Sequence, residues 1–280
     1  MHMRMRSQLL KKAPLMGAFF IGLLGLPAQA ACPLPGHLPV FEVKRVLDGD
    51  TLRLADGRNV RLIGLNTPEL SRQGRAAQPF AVKAQKRLEQ LIRANAGQVA
   101  LKIGEPAKDH YGRLLAHAFA DNGRNIEEQL LAEGLGYQVV FAPATRWAQC
   151  QQMAERRARE EGRGLWRQPR LLTPAQVDSG GFALIRGKVL RVERNRGGIW
   201  LEMGDSVVLQ VTPKLFPHFD IEGLQALAGR QIEARGWVVD RARRGQLKKG
   251  QALGLLPVSG EYMLEEVRWI YVRSWPWYGT

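Results

Sequence analysis

The stretch Val43–Glu69, VKRVLDGDTLRLADGRNVRLIGLNTPE, restricts the fold more than any other part of the chain. Phe41–Val46 alternates apolar and polar residues, and Thr51–Leu54 resumes the alternation beyond Asp48-Gly49-Asp50. Asp56-Gly57 then separates it from a second alternating run, Asn59–Leu65. An Asp-Gly pair between two period-two runs predicts a β-hairpin with one buried face. Such a sheet needs further strands or helices to cover it. The same stretch sets Asp48, Asp50 and Glu69 near Arg61 and the corner Asn66-Thr67-Pro68. Carboxylates beside a guanidinium are the groups that hold a cation against a phosphate.

Beyond Glu69 the period changes. Ala84, Leu88, Leu91 and Ile92 fall at helical spacing within Pro79–Ala94, with Lys83, Lys86, Arg87 and Glu89 on the solvated side. Val99, Leu101 and Ile103 alternate as a strand, and Leu114–Phe119 follows as another. A second helix is expected from Asn125, with Glu128 completing a capping box and Gly134 ending it. A third is expected from near Thr145, with Trp147, Cys150, Met153, Ala154 and Ala158 as its buried stripe. His117, on a strand and with no acidic neighbour close in sequence, is expected to be structural.

The chain of 280 residues is long enough for two domains. The aperiodic segment Arg167–Gly181, with Pro169, Pro174 and Ser179-Gly180-Gly181, marks the boundary. Strands are expected at Ala183–Val192, Ile199–Met203, Val207–Val211, Gln231–Val239 and Met263–Ile270, with a helical segment over Leu215–Leu227. That element order is the one of a five-stranded barrel of the oligonucleotide/oligosaccharide-binding (OB) type. The expected division is therefore 31–167, a linker at 168–180, and 181–280.

The N-terminus carries Arg4, Arg6, Lys11 and Lys12, then the apolar run Leu15–Leu26, then Ala28-Gln29-Ala30. This is the build of a secretory signal peptide cleaved after Ala30, and the run is short for a membrane span. An uncleaved anchor is the alternative. An exported, periplasmic or secreted chain with no stable membrane insertion after cleavage is expected. In that setting Cys32 and Cys150 suggest one disulfide, with two buried thiols as the alternative. The chain holds 41 Lys and Arg against 26 Asp and Glu, a net charge of +15, and so is built to meet a polyanion rather than another basic surface.

Three blocks occur in order: DGDTLRL at 48–54, RLIGLNTPE at 61–69 and DHYGRLLA at 109–116. Together they resemble the thermonuclease, or staphylococcal-nuclease-like, family over about residues 40–167, including the closing Gly164-Leu165-Trp166. The resemblance implies an α+β fold, a five-stranded OB barrel with three helices, here followed by the second small OB-like β-barrel. It also implies a calcium-dependent nuclease acting on DNA and RNA. Asp50, Asn66 and the Thr67 carbonyl take the positions of the metal ligands; Asp48 is either a carboxylate supporting that site from behind or simply the first residue of a turn. Glu69 takes the position that orients or deprotonates the attacking water, and Arg61 and Arg113 those that hold the reacting phosphate. His110 and Tyr111 lie where the family contacts the nucleotide.

The chain also departs from the family. The family's best-known member has aspartate in place of Asn66 and lysine in place of His110, and its loop after Glu69 is longer. The stacking tyrosines are missing, Phe141 being the nearest candidate. One formal charge fewer among the ligands implies weaker or less selective cation binding. In the second half Arg241, Arg243, Arg244, Lys248 and Lys249 form a cationic loop, Arg191, Arg194 and Arg196 flank another turn, and Trp200 and Trp237 offer stacking surfaces, the alternative being core tryptophans and a solvated loop. A barrel that binds an envelope component, and a nuclease-like module without catalysis, are the competing expectations.

Overall fold

The computed structural model describes residues 32–71, 74–143, 145–204, 206–243, 245 and 251–266. The expected signal peptide, Arg244, Lys248 and the tail Trp275–Tyr278 lie outside the described residues. Among those residues no helix is long and apolar enough to cross a membrane.

The first half is a closed barrel of five strands: β1 (Val40–Val46), β2 (Thr51–Leu54), β3 (Asn59–Leu62), β5 (Gln98–Lys108) and β6 (Leu114–Phe119), in the order β1-β2-β3-β6-β5. Outside the barrel, β4 (Leu65–Asn66) pairs antiparallel with β7 (Tyr137–Gln138). Helices α1 (Ala81–Ala94), α2 (Ile126–Ala132) and α3 (Ala148–Glu160) complete this half. Inward residues Leu52, Leu54, Val60, Leu62, Val99 and Leu101 fill the barrel and meet Leu88 and Ile92 of α1 and Leu130 of α2. The fold implied by the resemblance is therefore present.

The expected run Asn59–Leu65 is broken into β3 and β4. Gly64 lies between them at φ +99°, a left-handed conformation that turns the chain off the barrel wall toward β7. Helix α1 begins at Ala81 rather than Pro79, because Phe80 is itself left-handed at φ 68°. Asn125 caps α2 by accepting from Glu128 N at 2.8 Å, but the reciprocal half of the box is absent. Glu128 instead accepts from Cys32 N at 2.9 Å, and so ties down the start of the described chain. On α3, Trp147 and Ala158 are buried and Cys150 and Ala154 pack against the core as expected, but Met153 is exposed while Gln151 and Glu155 are buried. Gln151 and Glu155 are tolerated there because each has a partner: Gln151 Nε2 donates to Asn125 Oδ1 at 3.3 Å and Glu155 Oε1 accepts from Gln138 N at 2.6 Å. His117 is structural as expected, yet it does have an acidic partner: Glu127 Oε1, 3.2 Å from Nδ1 and ten residues on.

The second half is a further β domain. Its strands are β8 (Leu171–Leu172), β9 (Gly181–Lys188), β10 (Arg191–Asn195), β11 (Gly198–Glu202), β12 (Val207–Val211), β13 (Gln231–Asp240), β14 (Gly254–Pro257) and β15 (Leu264–Glu266). The sheet order is β10-β11-β12-β14-β13-β9-β8, and β15 pairs with β13. The expected strand Ala183–Val192 is two segments, β9 and β10. The helical segment is a 3-10 turn at Pro213–His218 followed by α4 (Ile221–Gln225). Strand β14, parallel to β12, has no counterpart among the expected elements; the expected strand Met263–Ile270 is met by β15, which pairs with β13, and its residues 267–270 lie outside the described residues. The segment expected as a linker is folded onto the sheet, since β8 pairs with β9. Val139, Val140 and Ala148 of the first half share the apolar core of the second.

Cys32 and Cys150 form a disulfide, 118 residues apart in sequence. Cys32→Ser with Cys150→Ser is expected to lower stability by up to about 4–5 kcal/mol, the loop-closure entropy of so long a ring. Denaturant unfolding of the two forms measures it, and equal midpoints would contradict it.

Candidate active site

Asp50 lies at the entry of β2, and β2 is held to β3 by the pair Thr51↔Arg61. Its carboxylate is buried and collects donors. Oδ2 accepts from Thr67 N at 2.8 Å and from Thr67 Oγ1 at 3.0 Å, and the Arg61 guanidinium stands 3.1 Å away. Oδ1 accepts from Thr51 Oγ1 at 3.2 Å. The carboxylate thus clamps the Asn66-Thr67-Pro68 corner to the barrel from 17 residues away.

Gly49 makes this approach possible. A Cβ there would lie 2.7 Å from Thr67 Oγ1 and 2.7 Å from Ala84 Cβ, so no side chain fits between the β1–β2 turn, the corner and α1. Asp48 accepts from Asp50 N at 3.0 Å. Burial first, and the neighbouring Asp50 charge second, raise the Asp48 carboxyl to about 6. Two acids held side by side favour any added positive charge.

Arg61 is held on four sides. Nη1 donates to the carbonyls of Leu62 at 2.5 Å and Leu65 at 2.9 Å, and Nη2 donates to Asn66 Oδ1 at 3.0 Å. With the Asp50 contact, this joins Asp50, Arg61, Asn66 and Thr67 into one bonded cluster. Arg113 immediately precedes β6, the strand that pairs with β3. Strands β3 and β6 are parallel with Val60↔Leu114 and Arg61↔Leu115, and Val60 and Leu114 point inward.

Arg113 is not bonded to the cluster. Its Nε donates to Asp109 Oδ2 at 2.7 Å, and the backbone N of Tyr111 and of Arg113 each donate to Asp109 Oδ1 at 2.9 Å. Burial acts to raise the Asp109 carboxyl, but the Arg113 fork and these amides outweigh it and hold it below its usual value. Asp109 is therefore a fixed anionic rest for Arg113, legible only afterwards as the acid four residues before it. His110 and Tyr111 are exposed and their rings lie 3.7 Å apart, with the Arg113 guanidinium 5.5 Å from the Tyr111 ring centre. A cleft of about 220 Å³ beside them is lined by Arg58, Asn59, Lys108, Tyr111 and Arg113.

Glu69 projects into solvent, and its carboxylate has no partner among the described residues. Its backbone is pinned by Gln78, which accepts from Glu69 N at 2.9 Å and donates its own N to Glu69 O at 2.9 Å. Gln78 carries no motif signal.

The groups expected as metal ligands are all oxygens: the Asp50 carboxylate, Asn66 Oδ1 and the Thr67 carbonyl. They fit a hard divalent ion in kind and sign. Among the described residues no group of three His, Cys, Asp or Glu side chains converges, so the amide and the carbonyl are needed to complete a site. A cation would share the Asp50 and Asn66 oxygens with Arg61.

In the second half Arg241 is buried and lies over the Trp200 ring at 5.9 Å, turned inward rather than into an open loop. Arg243, Arg194 and Arg196 are exposed, and Arg194 covers the Phe216 ring at 5.3 Å. Trp237 stacks on Phe141 at 5.8 Å, and both are partly exposed at the junction of the halves.

Comparison with known proteins places the first half. Residues 59–168 match the family described as "Staphylococcal nuclease homologue". The chain is 33% identical over 127 residues to the SPbeta prophage-derived endonuclease YokF of Bacillus subtilis (strain 168), covering 44% of this chain and 42% of that protein. It is 32% identical over 127 residues to Endonuclease YncB of the same organism, covering 44% and 59%. It is 32% identical over 130 residues to Thermonuclease of Staphylococcus intermedius, covering 45% and 75%. The chain thus spans about half the length of the two Bacillus proteins.

Gly49→Ala is expected to cost about 1–3 kcal/mol, as a methyl forced into a filled space does. Urea unfolding measures it; an unchanged midpoint would show that Thr67 does not need this approach.

Proposed function

The chain belongs to the family of staphylococcal nuclease homologues, and we propose that it is an exported, metal-dependent nuclease that hydrolyses phosphodiester bonds of DNA, RNA or both. The observation that carries this is the bonded cluster Asp50–Arg61–Asn66–Thr67 on the barrel wall, with Arg113 at the start of the adjacent strand.

The roles follow from the chemistry of each group. Arg61 and Arg113 present planar forks to the phosphate and offset the charge gathered at the pentacoordinate state. Arg113 exchanges its bond to Asp109 for one to the phosphate. Glu69, with a free and solvated carboxylate, accepts the proton of the attacking water. Asp50, Asn66 and the Thr67 carbonyl would hold the cation, calcium by family, which would supply Lewis-acid charge to the phosphate and to a bound water. Asn66 supplies no charge, so affinity for that ion is lower than with two carboxylates. The disulfide supports an oxidising compartment and thus export, periplasmic or secreted.

We infer a second, OB-like domain over 181–280. The sheet path starts at β10 and ends at β9 and β8, and only Val189 and Leu190 separate β9 from β10 in sequence, which supports a sheet that curls back on itself. The parallel pairing of β12 with β14 supports the same reading. Its exposed Arg194 and Arg196 suit it to hold nucleic acid by phosphate contacts.

Cleavage of single- and double-stranded DNA and of RNA, with calcium and with a chelator, tests the proposal. Glu69→Gln and Arg113→Ala are each expected to lose about a hundredfold or more in kcat. Full activity in chelator would remove the metal mechanism, and full activity of Glu69→Gln would remove the base. Arg194→Ala with Arg196→Ala is expected to flatten the salt dependence of DNA binding, by about 0.9 in log–log slope per lost phosphate contact. An unchanged slope would leave the β domain without that role.

A further inference from the structure

Strand β13 belongs to the second half, yet one of its side chains reaches the strand that braces the site. Arg235 is buried, and its Nη1 lies 2.5 Å from Glu155 Oε2 on α3 and 3.4 Å from the Gln138 carbonyl. Glu155 Oε1 accepts from Gln138 N at 2.6 Å. Gln138 Nε2 donates to the Ala148 carbonyl at 2.5 Å. Gln138 is thus gripped at its amide, its carbonyl and its side chain, by groups from α3 and β13.

Gln138 lies in β7, and β7 pairs with β4 through Leu65↔Gln138 and Asn66↔Tyr137. Val139 N adds a bond to the Gly64 carbonyl at 3.2 Å. Strand β4 carries two of the groups that hold the Arg61 guanidinium: the Leu65 carbonyl and Asn66 Oδ1. Each of these strands is two residues long. A pairing that short specifies its own register weakly, so outside contacts set it.

We infer that Arg235 is a positioning residue for the active site: through Glu155 and Gln138 it sets β7 on β4, and so places Asn66 and the Leu65 carbonyl around Arg61. The second half then completes the site of the first, besides any contact it makes with nucleic acid. The kinetic part of this inference rests on the nuclease reading above. Other ion pairs join the halves without touching β7, namely Arg159–Glu233 at 2.7 Å and Arg156–Glu265 at 3.1 Å. Mere adhesion between halves is available from those pairs. Among the described residues Arg235 alone carries the second half's charge to Gln138.

The test uses the full chain and three variants. Arg235→Lys keeps a charge beside Glu155 but loses the fork. Arg235→Met with Glu155→Gln removes both buried charges, so that neither is left unpaired if the lysine variant fails to fold. Arg156→Ala breaks the junction elsewhere. Two quantities are read: kcat and KM on a single-stranded DNA oligonucleotide, and amide hydrogen exchange of peptides covering residues 64–67 and 137–139.

Both Arg235 variants are expected to lose about tenfold or more in kcat with KM within about twofold, as small misplacements of catalytic groups do. Exchange at residues 64–67 is expected to rise about tenfold while β1–β3 stays protected, as local rather than global opening requires. Arg156→Ala is expected to change neither. Unchanged exchange at 64–67 in a folded Arg235 variant would overturn the inference, as would an equal loss in Arg156→Ala or a rise in KM alone. If the unaltered chain cleaves nothing, the nuclease reading fails, and the exchange measurement still decides the positioning role.

Discussion

The buried carboxylate of Asp50 is the contact on which the site depends. A carboxylate this far from water is costly unless its lone pairs are filled, and here Thr51, Thr67 and Arg61 fill them. Filling them also fixes geometry. The corner Asn66-Thr67-Pro68 has no place in the barrel, and it is Asp50 that attaches it. Loss of one member of such a pair costs on the order of 3–5 kcal/mol, because the other is left buried and uncompensated. The same constraint explains Gly49, whose missing Cβ lets the corner approach.

The junction between the halves repeats this physics on a larger scale. Glu233 of β13 is buried and meets Arg159 at 2.7 Å, Arg186 at 3.1 Å and Arg235 at 3.5 Å. Burial acts to raise its carboxyl, but these arginines outweigh it and hold it below the usual carboxylate range. The interface is therefore charged inside and satisfied, rather than oily. Such a contact contributes orientation more than adhesion, which suits a domain that braces a two-residue strand.

The barrel was legible because its signals are local. Asp56-Gly57 and the alternation on either side of it need only neighbouring residues, and Asp50, Arg61, Glu69 and Arg113 stand in motifs. What was missed depends on distant partners. Gln151 and Glu155 read as polar and outward until Asn125 and Arg235, 26 and 80 residues away, are brought to them. Glu128 was expected to cap its own helix and instead holds Cys32. Strand β14 carries Leu255-Leu256-Pro257 with no alternation, so only its pairing with β12 and β13 identifies it. Arg241 looked like part of a cationic loop, and its place over Trp200 is set by packing that charge counting does not see.

The central claim is that this one cluster carries phosphodiester hydrolysis, with Asp50 as its anchor. Its most direct test is single-turnover cleavage of an end-labelled single-stranded oligonucleotide by the full chain, with Asp50→Asn beside it and folding of both checked by circular dichroism. Cleavage by the unaltered chain is expected, with a loss of about a hundredfold or more in the folded variant. Equal rates in the two proteins would contradict it.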